Sequence, residues 1–306
     1  MKIYSLNDHC RKQFGKKLYK LALDGGFTCP NRDGSKGTNG CVFCSAGGSG
    51  DFAEGGEDLA AQIERAKARV AAKNKAGGYI AYFQSFTNTY APAEKLASLF
   101  SRVIARPDID VLSIATRPDC LPDETVELLS RLNRVKPVWV ELGLQTVKPE
   151  SVRFIRRAYE TPLYADAVSR LKKNGIETVT HVILGLPGET KEDMLETVRY
   201  AAACGTDGLK LQLLHVLTDS DLYPLWRRGE IPTLSLEEYL GLLSFLIPEI
   251  PAHIVLQRLT GDGPKRTLAA PLWTADKKRV LNAINALPAV QGAAASAAAK
   301  VTKDEG

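Results

Sequence analysis

Three cysteines, Cys29, Cys41 and Cys44, lie within one Gly-rich stretch, C-P-N-R-D-G-S-K-G-T-N-G-C-V-F-C-S-A-G-G-S-G. Thiolates are soft metal ligands. Their close spacing, in a chain with only 6 cysteines, favours metal or redox chemistry over a disulfide framework. A structural zinc site normally closes with four protein ligands, whereas a reactive centre keeps one position open. Three cysteines converging from one loop suit an iron–sulfur cluster whose remaining iron is free to bind and activate a small molecule. Zinc is the competing reading, and it needs a fourth ligand, for which His9 and Cys10 are the nearest candidates. Cys120 and Cys204 read as buried small residues rather than ligands.

Such a loop needs a scaffold that brings distant residues to it. Apolar, β-rich runs alternate with helical patterns: strands are predicted over 17–23, 79–83, 111–115, 138–142, 177–184 and 208–214. Helices are predicted between them over 57–75, 93–105, 123–134, 151–156, 163–174 and 191–204. In the first helix, Leu59, Ile63, Ala66 and Val70 recur at spacings of three and four. This alternation indicates βαβ units and a parallel sheet. Six units give an α/β fold, a partial (β/α)6 TIM-like barrel, open rather than closed by eight strands. A helix over 235–245, a strand over 254–257 and a helix over 277–287 form a short C-terminal α/β extension. The expected organisation is an N-terminal segment (1–16), the barrel (17–217), an extension covering the barrel and the substrate side (218–288), and an Ala-rich tail (289–306) with too little to bury to stay ordered.

Ligands of parallel α/β barrels gather at the C-terminal ends of the strands, and the unusual residues of this chain fall there. Cys29 to Cys44 follow the first strand, and Gln84-Ser85-Phe86-Thr87-Asn88 follows the second. Thr116-Arg117-Pro118-Asp119 follows the third, Glu141-Leu142-Gly143-Leu144-Gln145 spans the end of the fourth, and Gly185-Leu186-Pro187-Gly188-Glu189 follows the fifth. His215 lies just past the sixth. Read from the residues alone, Gln84–Asn88 is an ordinary polar turn, while Glu141 and Gln145, if buried, need hydrogen-bonding partners.

With these motifs in place, the chain resembles the radical S-adenosylmethionine (SAM) superfamily. Cys29…Cys41-x2-Cys44, the E-L-G-L-Q-T strand and the L-G-L-P-G-E-T turn carry the likeness. The wide first gap and T-R-P-D resemble the branch that contains the elongator catalytic subunit. C-P-N-R-D-G, F-Q-S-F-T-N-T-Y, L-H-V-L, Q-R-L-T-G-D and A-P-L-W are similar to a bacterial subfamily of that branch, predicted iron–sulfur oxidoreductases. The resemblance runs from about residue 17 to about residue 287. It implies a [4Fe–4S] cluster on Cys29, Cys41 and Cys44, with SAM on the fourth iron and reductive cleavage to a 5′-deoxyadenosyl radical. It also implies SAM contacts from Gln84, Asn88, Glu141, Gln145, Arg157, His181 and Gly185, with Gln145 near the ribose and Arg157 at the SAM carboxylate. A surface arginine and a core histidine remain the plain readings of Arg157 and His181. The acetyltransferase activity of many members of the wider group, whose domain follows the barrel, is not expected to carry over, because too few residues follow the sixth strand.

Composition sets the outer bounds. In 306 residues, 44% hydrophobic and 25% charged content is ordinary for a globular protein, and no apolar run suits a membrane span. The N-terminus lacks the pattern of a secretory signal, so a cytoplasmic protein is expected. A net charge of +5 is compatible with a nucleic-acid partner without requiring one. Basic residues cluster late, at Arg227, Arg228, Arg258, Lys265, Arg266, Lys277, Lys278 and Arg279, with Tyr223, Trp226 and Trp273 among them. Such a mixture suits a phosphate-rich partner with an unstacked base, and scattered solvated charge equally. The resemblance implies tRNA as partner, through aminomethyl-type modification of the wobble uridine, and an electron donor such as flavodoxin or ferredoxin. The alternatives are a radical-SAM enzyme for a small molecule or protein, and a non-catalytic metal-stabilised binding protein.

Overall fold

Every long strand of this chain places one kind of residue on alternate positions and another kind between them, and that alternation builds the molecule. The computed structural model describes residues 3–48, 50–56, 58–75, 77–261 and 263–292. Six strands pair in chain order: β1 (Leu18–Leu23), β2 (Gly78–Phe83), β3 (Ile109–Thr116), β4 (Val138–Gln145), β5 (Glu177–Leu184) and β6 (Gly208–Leu213). After β7 (Val216–Leu217), which lies outside this sheet, the chain returns to add β8 (Val255–Arg258) parallel to β6. All seven strands are parallel, and β1 does not pair with β8, so the barrel stays open. The partial-barrel expectation holds, and the sheet gains a seventh strand from the segment assigned to the extension. A separate antiparallel pair joins β7 to β9 (Leu268–Ala270).

The outward positions are apolar. Leu21, Leu23, Phe83, Leu112, Ile114, Val140, Leu142, Val182, Leu184, Leu209 and Leu211 are buried under a layer of helices. These include α2 (Leu59–Val70), α3 (Ala93–Ile104) and α4 (Asp123–Asn133). After β4 come α5 (Pro149–Phe154) and α6 (Thr161–Lys173), and between β5 and β6 comes α7 (Lys191–Ala203). The helices begin where caps demand it. The Thr190 side chain accepts from the Asp193 N–H, and Asp193 reaches back to the Thr190 N–H, a capping box that fixes the start of α7.

The N-terminal segment forms α1 (Leu6–Phe14), opened by a Ser5–Asp8 capping box and closed by Gly15 at φ +70°. It closes the bottom of the barrel, where Cys10 packs with Leu18, Ile80, Val111 and Trp139. Past β7, α8 (Leu222–Arg227) and α9 (Leu236–Leu246) are followed by α10 (Lys277–Asn285) and α11 (Pro288–Gln291). Val290 of α11 is buried, so the disordered tail expected from residue 289 does not begin there: a buried valine gives this turn something to pack. Residues 293–306 lie outside the described residues.

Candidate active site

Inside the barrel the alternate strand positions form three layers. The lowest, Leu18, Ile80, Val111 and Trp139, is apolar and sits on α1. The middle layer is charged: Lys20, Tyr82, Ser113, Glu141, His181 and Lys210 occupy the next inward positions. The upper layer is Ala22, Gln84, Ala115, Gly143, Ile183 and Gln212. Middle and upper layers line a cavity of about 410 Å³ together with Cys29, Cys41, Cys44, Arg117, Gln145, Arg157 and Arg258. That volume is in the range of small-molecule sites.

Glu141 is the hub of the middle layer. Its carboxylate accepts from Lys20 Nζ (2.9 Å), Ser113 Oγ (2.7 Å), His181 Nε2 (2.7 Å) and Lys210 Nζ. Burial works against its charge, but Lys20, Lys210 and His181 outweigh burial and hold its pKa well below the usual carboxylate range. His181 is pushed down to about 4 by burial and by Lys210, against the pull of Glu141, and is neutral at pH 7. Its Nε2–H then donates to Glu141, and Nδ1 accepts from Gln212 Nε2 at 3.0 Å. Burial likewise pushes Lys210 well below its ordinary value, with Glu141 opposing. Glu141 is therefore consumed by its own network. The SAM contact expected of Glu141 would have to compete with partners the chain itself supplies.

The cysteine loop is built differently, from turns. Cys29 O accepts from the Arg32 and Asp33 amides, Gly40 N–H donates to Asn31 O (2.7 Å), and Cys44 N–H donates to Cys41 O (3.0 Å). Gly40 sits at φ +73°, and a Cβ there would meet Arg32 Nε at 2.7 Å, so only glycine suits it. Asn31, buried, donates to Cys41 Sγ (3.6 Å) and to Arg156 O (2.6 Å), tying the loop to the segment after α5. The adjacent Cys44 thiol and burial raise the Cys41 pKa well above its ordinary value. Two neighbouring thiols resist double ionisation unless a metal neutralises them.

At the rim, β4 ends on a bulge. The register against β5 shifts between Gly143 and Gln145, and Gln145 adopts φ +67°. Its Oε1 is buried with no hydrogen-bond partner among the described residues. A buried acceptor left without a partner beside a cavity is available to a donor from a bound group. Arg157 is only 1% exposed, which removes the surface-arginine reading. Its donors go to the Leu144, Thr146 and Tyr159 carbonyls and Thr161 Oγ1. The guanidinium thus braces the bulge and has no donor to spare for a carboxylate, which corrects the direct-contact expectation. Arg117 braces the same segment. Nη1 donates to Arg157 O (3.0 Å), and Nε and Nη2 grip Asp119, which Lys36 of the cysteine loop also meets at 2.5 Å.

The cavity brings together Cys29, Cys41, Cys44, Gln84, Glu141, Gln145, Arg157 and His181. It leaves out two expected residues. Asn88 is fully buried, and its Nδ2 donates to Ser85 O and Ala115 O, so it fastens the β2 turn to β3. Gly185, at φ +84°, turns the chain beside Leu234. Sequence reasoning missed Lys20, Lys210, Arg117 as a brace, and Asn31. For the lysines a signal existed: each is a charged residue inside an otherwise apolar parallel strand.

The residues present fit an iron–sulfur cluster better than a zinc ion. His9 and Cys10 lie on α1 at the far end of the barrel, and no three His, Cys, Asp or Glu side chains among the described residues are grouped to hold one ion. A cluster spreads its thiolates over different irons, so three thiols around one cavity meet its needs.

Comparison with known proteins decides the family. Residues 34–201 match the radical SAM superfamily model, and residues 206–287 match the radical SAM C-terminal domain. The chain belongs to the radical SAM superfamily. It is 45% identical to the uncharacterized protein YtqA of Bacillus subtilis over 92% of this chain and 88% of that one. To Protein YhcC of Escherichia coli it is 34% identical, over 86% and 84%. A more distant relative is the tRNA uridine(34) acetyltransferase of Methanocaldococcus jannaschii, 27% identical over 50% of this chain and 28% of that one. The solved structure of the Elp3 of Methanocaldococcus infernus superposes with a TM-score of 0.62 at 17% identity, over 82% of this chain and 58% of that one, a likeness of fold. Membership makes the protein a radical SAM enzyme with a [4Fe–4S] cluster and SAM as cofactors, and such enzymes need a reductant. When bound, the cluster would pass an electron from the reductant to SAM, whose carbon–sulfur bond would break to give methionine and a carbon-centred radical. The chain's part is to hold them at the rim, brace the β4 bulge and shield the interior from water. No helix among the described residues is long and apolar enough to cross a membrane.

Proposed function

We propose that this radical SAM enzyme modifies a tRNA wobble uridine by aminomethyl-type chemistry. Cys29, Cys41 and Cys44 would each ligate one iron, and Gln145 would meet the SAM ribose with its unpartnered Oε1. The observation that carries the cofactor assignment is the meeting of three loop thiols and that strained, orphaned amide on one cavity. What supports tRNA is the half-chain likeness to a tRNA uridine(34) acetyltransferase, together with a small aromatic and basic surface. Tyr223 and Trp226 stack at 6.2 Å, and Arg227 lies 5.9 Å over the Tyr223 ring. Trp273 does not belong to that surface, because it packs on Tyr239 and donates to Leu234 O. An open barrel leaves a side through which an exposed nucleotide can reach the cavity. The test compares modified nucleosides of tRNA from a deletion strain and its parent. Loss of an aminomethyl-type wobble uridine is expected; an unchanged profile sinks the tRNA reading and leaves a small molecule or protein as substrate.

A further inference from the structure

The barrel floor carries more positive than negative charge. Lys20 on β1 and Lys210 on β6 share one carboxylate, Glu141. Each ammonium has three N–H donors. Lys20 gives one to Glu141 and one to Gln257 Oε1 (2.8 Å); Lys210 gives one to Glu141 and one to the Tyr82 hydroxyl (3.2 Å). Among the described residues, one donor on each lysine remains. Both ammoniums also stand over the Tyr82 ring, at 4.8 and 4.3 Å from its centre, which fixes them in place. Buried cations without matching anions are costly, and a chain keeps them where a ligand supplies the missing charge.

The way down is open on one side. In the upper layer, β1, β3 and β4 present Ala22, Ala115 and Gly143, the smallest side chains available, above the lysine floor. Lys20 and Lys210 each lie three residues before their strand ends, roughly 10 Å below the rim where the cysteine loop begins. A group reaching them must be narrow and extended.

We propose that the floor of the barrel is a carboxylate subsite, in which a carboxylate entering past Ala22 and Gly143 takes the remaining donors of Lys20 and Lys210. Its charge balances two lysines with two carboxylates. The carboxylate is that of the second substrate, because SAM bound to the cluster's open iron would keep its methionyl end at the rim, roughly 10 Å above the lysines. The subsite stands on the cavity alone and does not depend on the tRNA reading.

The probe is 13C-labelled acetate, with acetamide as its uncharged counterpart, observed by NMR line broadening in cluster-reconstituted protein. Acetate is expected to bind and acetamide not. Lys20→Arg is expected to keep binding, and Lys20→Met, which still leaves Glu141 paired with Lys210, to weaken it tenfold or more. Ala22→Met, which narrows the passage without changing charge, is expected to block acetate as well and covers the case in which Lys20→Met misfolds. Joint binding of acetate and SAM is expected, and displacement of acetate by SAM overturns the assignment to the second substrate. Equal binding of acetate and acetamide, or unchanged acetate affinity in both Lys20→Met and Ala22→Met with native circular dichroism, overturns the proposal.

Discussion

The cysteine loop and the barrel floor face each other across one cavity and are built on opposite plans. The loop places soft donors on turns, held by backbone hydrogen bonds and by a few ties, Asn31 to Arg156 O and Lys36 to Asp119. The floor places hard charges on strands, where the β-ladder fixes each backbone and every charge leans on the others. A donor on the loop can be removed without stranding a buried charge. On the floor, removing Glu141 strands the lysines that share it. Function on the loop is therefore separable from stability, and on the floor the two are joined.

The sharpest way to break this contrast is Cys41→Ala. Iron content, the cluster's visible absorbance and 5′-deoxyadenosine formation from SAM are expected to fall to background while the urea midpoint stays near wild type. Retained SAM cleavage would refute the cluster assignment, and unfolding would refute the separation. Glu141→Gln should do the reverse. It leaves the buried Lys210 and the half-buried Lys20 facing a neutral amide, a loss of about 3–5 kcal/mol in urea denaturation; a loss below ~1 kcal/mol would mean that the floor is solvated and not coupled.

A smaller effect comes from pH. His181 has a folded pKa of about 4, below its ordinary value, so the unfolded chain binds a proton that the folded one refuses. Stability is then full above about pH 6.5 and declines as pH falls toward 4. Thermal denaturation across that range should show the decline in the wild type and a shallower one in His181→Asn. Gln145→Gly releases the left-handed backbone and should raise stability by about 1 kcal/mol while weakening SAM binding in equilibrium titration. A variant that binds SAM as well as wild type would strip Gln145 of its role. At the bottom of the scale, Arg153→Ala removes an exposed pair with Glu150 and should cost no more than about 0.5 kcal/mol.

The barrel was legible because period-two strands and period-3.6 helices write themselves into sequence, and the rim because its residues interrupt apolar runs. Cys29, Cys41 and Cys44 were visible from spacing alone. What stayed hidden was pairing. That Glu141 is spent on Lys20, Lys210 and His181 depends on strands β1, β4, β5 and β6 meeting in space. From the residues alone Arg157 read as a surface arginine, because burial after α5 is set by the bulge of β4, which no local signal announces. β8 was too short to be told from an extension strand, since its place is decided by the edge of β6.

That last strand also sets an order of events. Leu256 N–H donates to Tyr4 O, and Ser5 bridges to Leu256, so β8 is held between β6 and a segment from the opposite end of the described chain. Contacts of such long sequence separation form late, because the loop entropy must be spent before they repay it. Gln257, the partner of Lys20, therefore arrives after β1 to β6 have assembled. Pulse-labelled hydrogen exchange during refolding should show the Leu256 amide protected last. Until that step the lysine floor lacks one wall, which makes strand closure at the two ends of the chain the point at which a folded sheet becomes a finished reaction chamber.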